Sequence, residues 1–389
     1  MEAAIKIVGY ERCIGCSACV DSCPQGALEI NISNVGFYIP KVADNCVNCG
    51  VCQKYCPIIN IKKLETTYPL AGYAAWNKDE IIRISSSSGG VFFELAKNIL
   101  EDNGIVYGVI WDDKYLPRHV KVMSEEQLWQ VMGSKYVQSN LEGVYKQIIQ
   151  DTQNYRRILF SGTPCQIAAV RLFAKNHYIE NIITVDLICF GVSSLKIYKM
   201  YLDDISGTKR ISSINMRNKK YGWSNSSIKI EFNNGSSYES VTKKDWFFRI
   251  YLSKYAHMLR CYNCPFARLP RLADITIGDF WGIDKKLSDE RGVSAIIINT
   301  ENGLDLIKRS RNLFLVPSTV DNIAAGNPRV VNGFSIIPKV RNKILKNDIK
   351  DFKSVKWLIK MYKYQALPRR LINKMIRIGN KLKKIILIR

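Results

Sequence analysis

Twelve cysteines are the residues of this 389-residue chain best suited to do chemistry, and eight of them fall into two runs of one spacing. Cys13, Cys16, Cys19 and Cys23, followed by Pro24, spell C-x2-C-x2-C-x3-C-P, and Cys46, Cys49, Cys52 and Cys56, followed by Pro57, repeat it 33 residues later. Two-residue spacers let one loop present three thiolates to three corners of an iron–sulfur cube, while the cysteine before the proline reaches the other cube. The spacing therefore predicts two crossed 4Fe-4S ligand sets, Cys13, Cys16, Cys19 with Cys56, and Cys46, Cys49, Cys52 with Cys23. Paired cysteines also bind zinc, but two identical four-cysteine runs, each closed by proline, select iron–sulfur chemistry. Gly15, Ala18 and Gly50 let the backbone come close to the sulfurs, where amide hydrogen bonds tune potential.

The elements that must position these residues follow from patterning. Leu28, Ile30 and Ile32 alternate, Ser33 to Gly36 can turn, and Phe37 and Ile39 alternate again, which predicts a hairpin between the halves of a ferredoxin-like domain over residues 1–62. Lys62 to Leu70 reads as a linker, and a mixed α/β unit follows in two parts, 70–150 and 151–330. There, Ser85 to Ser88 and Gly89-Gly90 precede a helix over Val91 to Leu100 and a strand over Ile105 to Trp111. A small-residue loop feeding a helix suits an anion, although such runs also serve as ordinary N-caps. It is neither a G-x-G-x-x-G nor a Walker A loop. Arg157 to Ser161 reads as a strand, and Pro164 and Cys165 open a helix to about Lys175. The helix dipole is expected to lower the Cys165 pKa. Ile182 to Ile188 is the next strand, ending at Cys189. A right-handed parallel unit would bring Cys165 and Cys189 to the sheet's carboxyl edge, where open α/β sheets keep their sites.

Composition narrows the class. With 47% hydrophobic residues the chain can bury a large core in more than one folding unit. No apolar run approaches the roughly 20 residues of a membrane span, and none precedes the first cysteine, so the expectation is a cytoplasmic protein. Residues 339–389 hold 17 Lys or Arg against two Asp, +15 of the net +23. Within the tail assigned to 331–389, Leu371, Met375, Ile378, Leu382 and Ile385 keep helical spacing among Arg370, Lys374, Arg377, Lys381 and Lys384. This basic amphipathic helix suits peripheral contact at the inner face of a membrane, an acidic partner, or a solvated packing face. Its scarcity of aromatic residues argues against nucleic acid. His119, His177 and His257 lie outside any motif and read as structural. No Ser-His-Asp or paired-Glu constellation occurs, so the chemistry falls to cofactors.

Several segments carry a family resemblance. Ser86-Ser-Ser-Gly-Gly-Val91, Gly133-Ser-Lys-Tyr-Val-Gln-Ser139, Ser161-Gly-Thr-Pro-Cys-Gln166, Asp186-Leu-Ile-Cys189, Cys261-Tyr-Asn-Cys-Pro265, Asp274-Ile-Thr-Ile-Gly-Asp-Phe-Trp-Gly282 and Gly292-Val-Ser-Ala295 occur in order. They resemble the coenzyme F420 hydrogenase/dehydrogenase beta-subunit family from about residue 73 to 303. The resemblance implies a flavoprotein that binds FAD and at least one 4Fe-4S cluster. The fold expected is a dicluster ferredoxin-like domain, a mixed α/β flavoprotein domain, and a basic helical tail.

It also implies roles. The four cysteines outside the ferredoxin runs, Cys165, Cys189, Cys261 and Cys264, all fall in family-like segments and are expected to hold a third 4Fe-4S cluster, with zinc or unliganded thiols as the alternatives. FAD is placed at Ser86, Ser87, Ser88, Gly89 and Gly90 with Ser134, Lys135 and Tyr136, the lysine meeting the pyrophosphate. Arg217 to Trp223 and Asp279-Phe280-Trp281 are expected at a substrate cavity. Relatives often carry His where this chain has Phe190, which leaves the proton donor open. The function implied is electron passage between the clusters and an FAD-bound organic substrate, in some bacterial relatives within surface-polysaccharide synthesis. The alternative is a non-catalytic electron-transfer subunit. A ferredoxin, a reduced deazaflavin or a partner redox subunit would supply electrons. Replacing Cys261 by Ser should remove about four irons per chain; iron content equal to the native protein would contradict its role as a ligand.

Overall fold

Strand-forming runs recur along the chain, and in the computed structural model, which describes residues 1–66 and 68–363, they assemble into three sheets. The strands are β1 Leu28–Ile32, β2 Tyr38–Val42, β3 Ala71–Asn77, β4 Ile105–Trp111, β5 Pro117–Val122, β6 Ile158–Gly162, β7 Ile182–Leu187, β8 Ile211–Asn218, β9 Ser227–Phe232, β10 Ser237–Val241, β11 Ile275–Asp279, β12 Ser294–Ile298 and β13 Leu313–Ser318. β1 and β2 form the hairpin between the cysteine runs, paired from Leu28↔Val42 to Ile32↔Tyr38. β8 to β10 form a small antiparallel sheet, and the remaining eight strands form one sheet in the order β13-β3-β12-β11-β7-β6-β4-β5. The fold is mixed α/β with a ferredoxin-type N-terminal domain.

Strand direction explains where a site can form. β4, β6, β7 and β11 pair in parallel, and β12 runs antiparallel between β11 and β3, so β3 points the same way as those four. One sheet edge therefore collects the residues that follow Asn77, Trp111, Gly162, Leu187 and Asp279. The interior strands are apolar without alternation: Ile158, Leu159 and Phe160 of β6 and Ala295 to Ile298 of β12 are all fully buried. That is the mark of a sheet covered on both faces, and each large side chain so buried contributes about 1.5–3 kcal/mol.

The N-terminal domain is fastened to this sheet by polar contacts. Gln138 accepts from the Tyr38 amide (2.8 Å) and donates to the Tyr38, Ile14 and Gly15 carbonyls (3.3–3.4 Å). The Asp21 carboxylate accepts from the Gly143 and Tyr145 amides (2.9 and 3.0 Å) at the start of the helix Val144–Asp151, and the Tyr145 hydroxyl donates to the Cys16 carbonyl (2.9 Å). Ser194 Oγ donates to the Val35 carbonyl (2.7 Å), and Tyr55 stacks on His177 at 5.5 Å. His177 is thus a packing residue at this junction.

The C-terminal region departs from the expected tail. Val340, Ile344, Leu345, Phe352, Val355 and Ile359 are buried with Ile197, Tyr198, Tyr201 and Phe247. Residues 352–363 are helical, with apolar residues inward at 352, 355 and 359 and Lys353 and Lys360 exposed. The lysine excess masked this inward stripe, and the core extends well past residue 331. The basic amphipathic stretch 371–385 lies outside the described residues. No described helix is long and apolar enough to cross a membrane.

Candidate functional site

The first crossed set expected from the spacing is brought together in space. Cys13, Cys16, Cys19 and Cys56 line one cavity together with Ile5, Val8 and Ile58. Burial, with the field of Cys56 adding to it, pushes the Cys13 thiol up to about 12 and raises Cys16 and Cys19 as well. Cys52 is raised by burial and by Cys23 and Cys49, its partners in the second set. Backbone amides face the sulfurs: Gly15 N donates to Cys13 (3.4 Å), Ala27 N to Cys23 (3.3 Å) and Ala4 N to Cys52 (3.2 Å). Cys49 is exposed, so the second set lies nearest solvent.

The last four cysteines converge as well. Cys165 stands in the first turn of the helix Pro164–His177, at the end of β6, and Cys189 follows β7 on the same edge. Cys261 and Cys264 come from a short 3-10 turn and its exit. The Cys165 thiol is raised, first by burial and then by Cys264 and Cys189, and Cys189 and Cys261 are pushed up to about 11 and about 12. For Cys165 this direction is opposite to the lowering expected from the helix first turn, and its leading cause is burial. Among the described residues no three His, Cys, Asp or Glu side chains converge closely enough for a single ion. A four-iron cube takes its thiolates on separate irons, spread wider than the ~2.3 Å zinc–sulfur shell of a mononuclear site. Gly191, at φ +122°, has no room for a side chain: a Cβ would lie 2.2 Å from the His257 ring. His257 is fully buried behind this loop, and burial with nearby Lys254 and Arg329 lowers its pKa to about 3, which keeps it neutral.

Tyr145 stands between the first and third sets. Burial and the fields of Cys16, Asp21, Cys19 and Cys165 together hold its phenol well above the ordinary range. Apolar packing joins the same sets, with Cys165 and Cys264 against the cluster containing Ile14 and Cys16, and Cys261 against that containing Cys52 and Met258.

A cavity of about 450 Å³ opens beside the third set, within the ~300–1,000 Å³ of typical cofactor sites. Cys189 lines it, as do Ser86, Ser87, Ser88, Gly90, Ser134, Lys135 and Tyr136. Gly89 does not. Its amide donates to Ser294 Oγ (2.8 Å), its carbonyl accepts from Asn77 N, and a Cβ there would meet Ala75 O at 2.4 Å, so this glycine fits the loop against the sheet. Gly90 caps the helix Val91–Glu101 without a side-chain hydrogen bond, leaving first-turn amides at the cavity wall. Lys135 differs from its expected role: its ammonium donates to the Met132 (2.9 Å), Gln130 and Gly133 carbonyls, closing the end of the helix Glu125–Val131 instead of reaching out to a ligand. Lys219 braces the serine loop from behind, donating to the Ser88, Arg83 and Arg291 carbonyls. Arg217 pairs with Asp279 (3.1 Å), while its buried Nε has no partner among the described residues. Trp281 lines the cavity and stacks face to face on Trp223 at 4.7 Å, and Asp279 accepts from the Trp223 indole (2.9 Å). Phe280 turns away into the core.

His119 proves structural. Its ring nitrogens meet the Ser161 carbonyl (3.0 Å) and Ser139 Oγ (3.1 Å), Gln166 donates to Ser139 (2.9 Å), and the Thr163 amide donates to Gln166 (2.9 Å). This relay sets the turn that presents Cys165. Sequence reasoning missed Tyr251 and Arg329, which also line the cavity. Arg329 sits in no motif, and its role depends on a contact 140 residues away, which no spacing could reveal.

Comparison with known proteins matches three regions to family models. Residues 72–146 match the N-terminal model, and residues 155–315 the C-terminal model, of "Coenzyme F420 hydrogenase/dehydrogenase, beta subunit"; residues 12–59 match "4Fe-4S dicluster domain". One subunit of the F420H2 dehydrogenase of Methanosarcina mazei is 23% identical over 325 residues, 77% of this chain and 82% of that protein. An uncharacterised ferredoxin of Methanocaldococcus jannaschii is 37% identical over 57 residues, 14% of this chain and 87% of that protein. A chain of the xenon-derivatised F420-reducing NiFe hydrogenase complex from Methanosarcina barkeri aligns with a TM-score of 0.49 and 16% identity, over 69% of this chain and 91% of that one.

Burial lowers the ammonium pKa of Lys135 and of Lys219 from 10.5 to about 7. Each is charged below that value and neutral above it. Lys135 lines the cavity, so sulfate, whose charge is constant in this range, should bind there more weakly as the solution is taken from about pH 6 to about pH 8. Calorimetric titration checks this, and an affinity that stays level or rises would contradict an anion site here.

Proposed function

The chain belongs to the coenzyme F420 hydrogenase/dehydrogenase beta-subunit family and carries an N-terminal 4Fe-4S dicluster domain, and from this footing we propose that it is an iron–sulfur flavoprotein oxidoreductase with FAD in the 450 Å³ cavity. The observation that carries the reading is that Cys189 and the Ser86–Ser88 loop face one and the same cavity. The first-turn amides of the helix Val91–Glu101 and the Arg217 guanidinium, whose Nε is unpartnered among the described residues, fit a pyrophosphate. The Trp281 face fits a planar ring. Bound FAD would supply the exchange between a two-electron organic substrate and one-electron clusters.

The protein's own residues then have distinct tasks. Cys46, Cys49, Cys52 and Cys23 hold the cluster nearest solvent, Cys13, Cys16, Cys19 and Cys56 the middle one, and Cys165, Cys189, Cys261 and Cys264 the one beside the cavity. Tyr136, Phe190 and Tyr251 line the cavity and exclude water from it. Electrons arrive from a ferredoxin, a reduced deazaflavin or a partner redox subunit and run inward to reduce the substrate. The substrate is kept to an organic acceptor. Exposed Trp357 and Met361 beside Lys353 and Lys360 support peripheral membrane contact continued by the basic segment.

A second reading, a non-catalytic electron-transfer role within a larger complex, is favoured by the name of the Methanosarcina mazei relative, which is that of a dehydrogenase subunit. Anaerobic preparation with iron and flavin quantification tests the proposal. About twelve irons and one FAD per chain are expected; eight irons and no flavin would reduce the chain to its dicluster domain.

A further inference from the structure

Positive charge is distributed unevenly over the three cysteine sets. The fields acting on Cys13, Cys16, Cys19 and Cys52 come chiefly from other cysteines and from backbone amides. The third set is different: Arg329 and Arg271 act on Cys189, Arg329 and Arg341 couple to Cys261, and Arg260 to Cys264. Three of these arginines, Arg271, Arg329 and Arg341, are buried, and the first two are placed with unusual economy.

Arg329 is 6% exposed. Its Nε donates to the Cys189 carbonyl (3.4 Å), its Nη2 to the Cys261 carbonyl (3.1 Å) and its Nη1 to the Gly333 carbonyl (2.8 Å). The same Gly333 carbonyl accepts from the Cys264 amide (3.1 Å). One side chain thus joins the segments bearing three of the four cysteines, from parts of the chain far apart in sequence. It also lines the cavity. Arg271 is 1% exposed and pairs with Asp186 (3.2 Å), three residues before Cys189, while its Nε and Nη2 have no partner among the described residues. Buried donors left unsatisfied cost about 1–3 kcal/mol each. The sulfide of a cluster is an acceptor of the kind they lack.

We propose that Arg329 and Arg271 are positioning residues that make the third cluster the highest-potential cluster of the protein and lock its ligand segments against the cavity. The proposal rests on Cys165, Cys189, Cys261 and Cys264 being that cluster's ligands. Arginine keeps its charge throughout the accessible pH range. A cluster gains negative charge on reduction, and a cation fixed beside it in a water-poor interior stabilises the reduced form. Among the described residues no buried arginine is seen to act on Cys13, Cys16, Cys19 or Cys52, so electrons fall inward toward the cavity.

Redox titration of the anaerobically prepared full-length protein, followed by electron paramagnetic resonance, tests this. The third cluster is identified as the signal and the four irons lost in Cys261→Ser. It should reduce at higher potential than the other two. Arg329→Gln should make its reduction at least tenfold less favourable, about 59 mV for a one-electron couple, with the dicluster signals unmoved; Arg329→Lys should restore most of the shift. Arg271→Gln, which leaves the Arg329 clamp in place, should lower the potential independently. A third signal whose potential stays unmoved in Arg329→Gln and Arg271→Gln, with iron retained, overturns the proposal and leaves the cluster standing. Iron content and spectra unchanged in Cys261→Ser overturn the ligand assignment, and the proposal with it.

Discussion

The peptide at Gly15 sits where two halves of the molecule meet, and it has no room for a side chain. A Cβ there would lie 2.1 Å from the Tyr38 carbonyl and 2.3 Å from the Gln138 amide nitrogen. Gln138 in turn exchanges hydrogen bonds in both directions with the Tyr38 peptide while holding the two carbonyls between Cys13 and Cys16. This close fit seats the ferredoxin-type domain on the sheet with its innermost thiols buried among apolar side chains. Were it looser, water would enter between the first and third cysteine sets, and the contacts around Tyr145 that join them would be lost.

Given that seating, the sheet does the rest by direction alone. Five strands pointing one way deliver the serine loop after β3, Cys165 after β6, Cys189 after β7 and the Asp279–Trp281 turn after β11 to a single edge. The same edge brings Lys135, Arg217 and Arg329 to one cavity, with Asp279 the acidic group paired to Arg217 and Lys219 bracing the serine loop from behind. Under the proposed function, anion recognition and cluster support would draw on neighbouring cations, Arg217 and Arg329. Their strength comes from burial, which weakens the screening that surface charges suffer.

Much of this was legible in the chain. Cysteine spacing anticipated the grouping of Cys13, Cys16, Cys19 and Cys56, because a cube imposes fixed steps on a short loop. The small-residue and cysteine motifs gave the strand ends correctly, since a β-strand followed by Gly-Thr-Pro can only turn into a helix there. What could not be read depended on tertiary contact. Lys135 looks like a free ammonium in sequence but closes a helix end. Gly89 looks like its neighbours but packs against Ala75. The lysines after residue 338 hid the inward stripe of Val340, Phe352 and Ile359, and Arg329 lies outside every motif.

The account's central claim is that electrons reach the cavity through the third cysteine set. Stopped-flow mixing of the flavin-loaded protein with a reduced ferredoxin, a donor too large to enter the cavity, tests it most directly when native protein is compared with Cys165→Ser. The dicluster should be reduced at the same rate in both, and the fast phase of flavin reduction should vanish in the variant. Flavin reduction at the native rate in Cys165→Ser would contradict the claim.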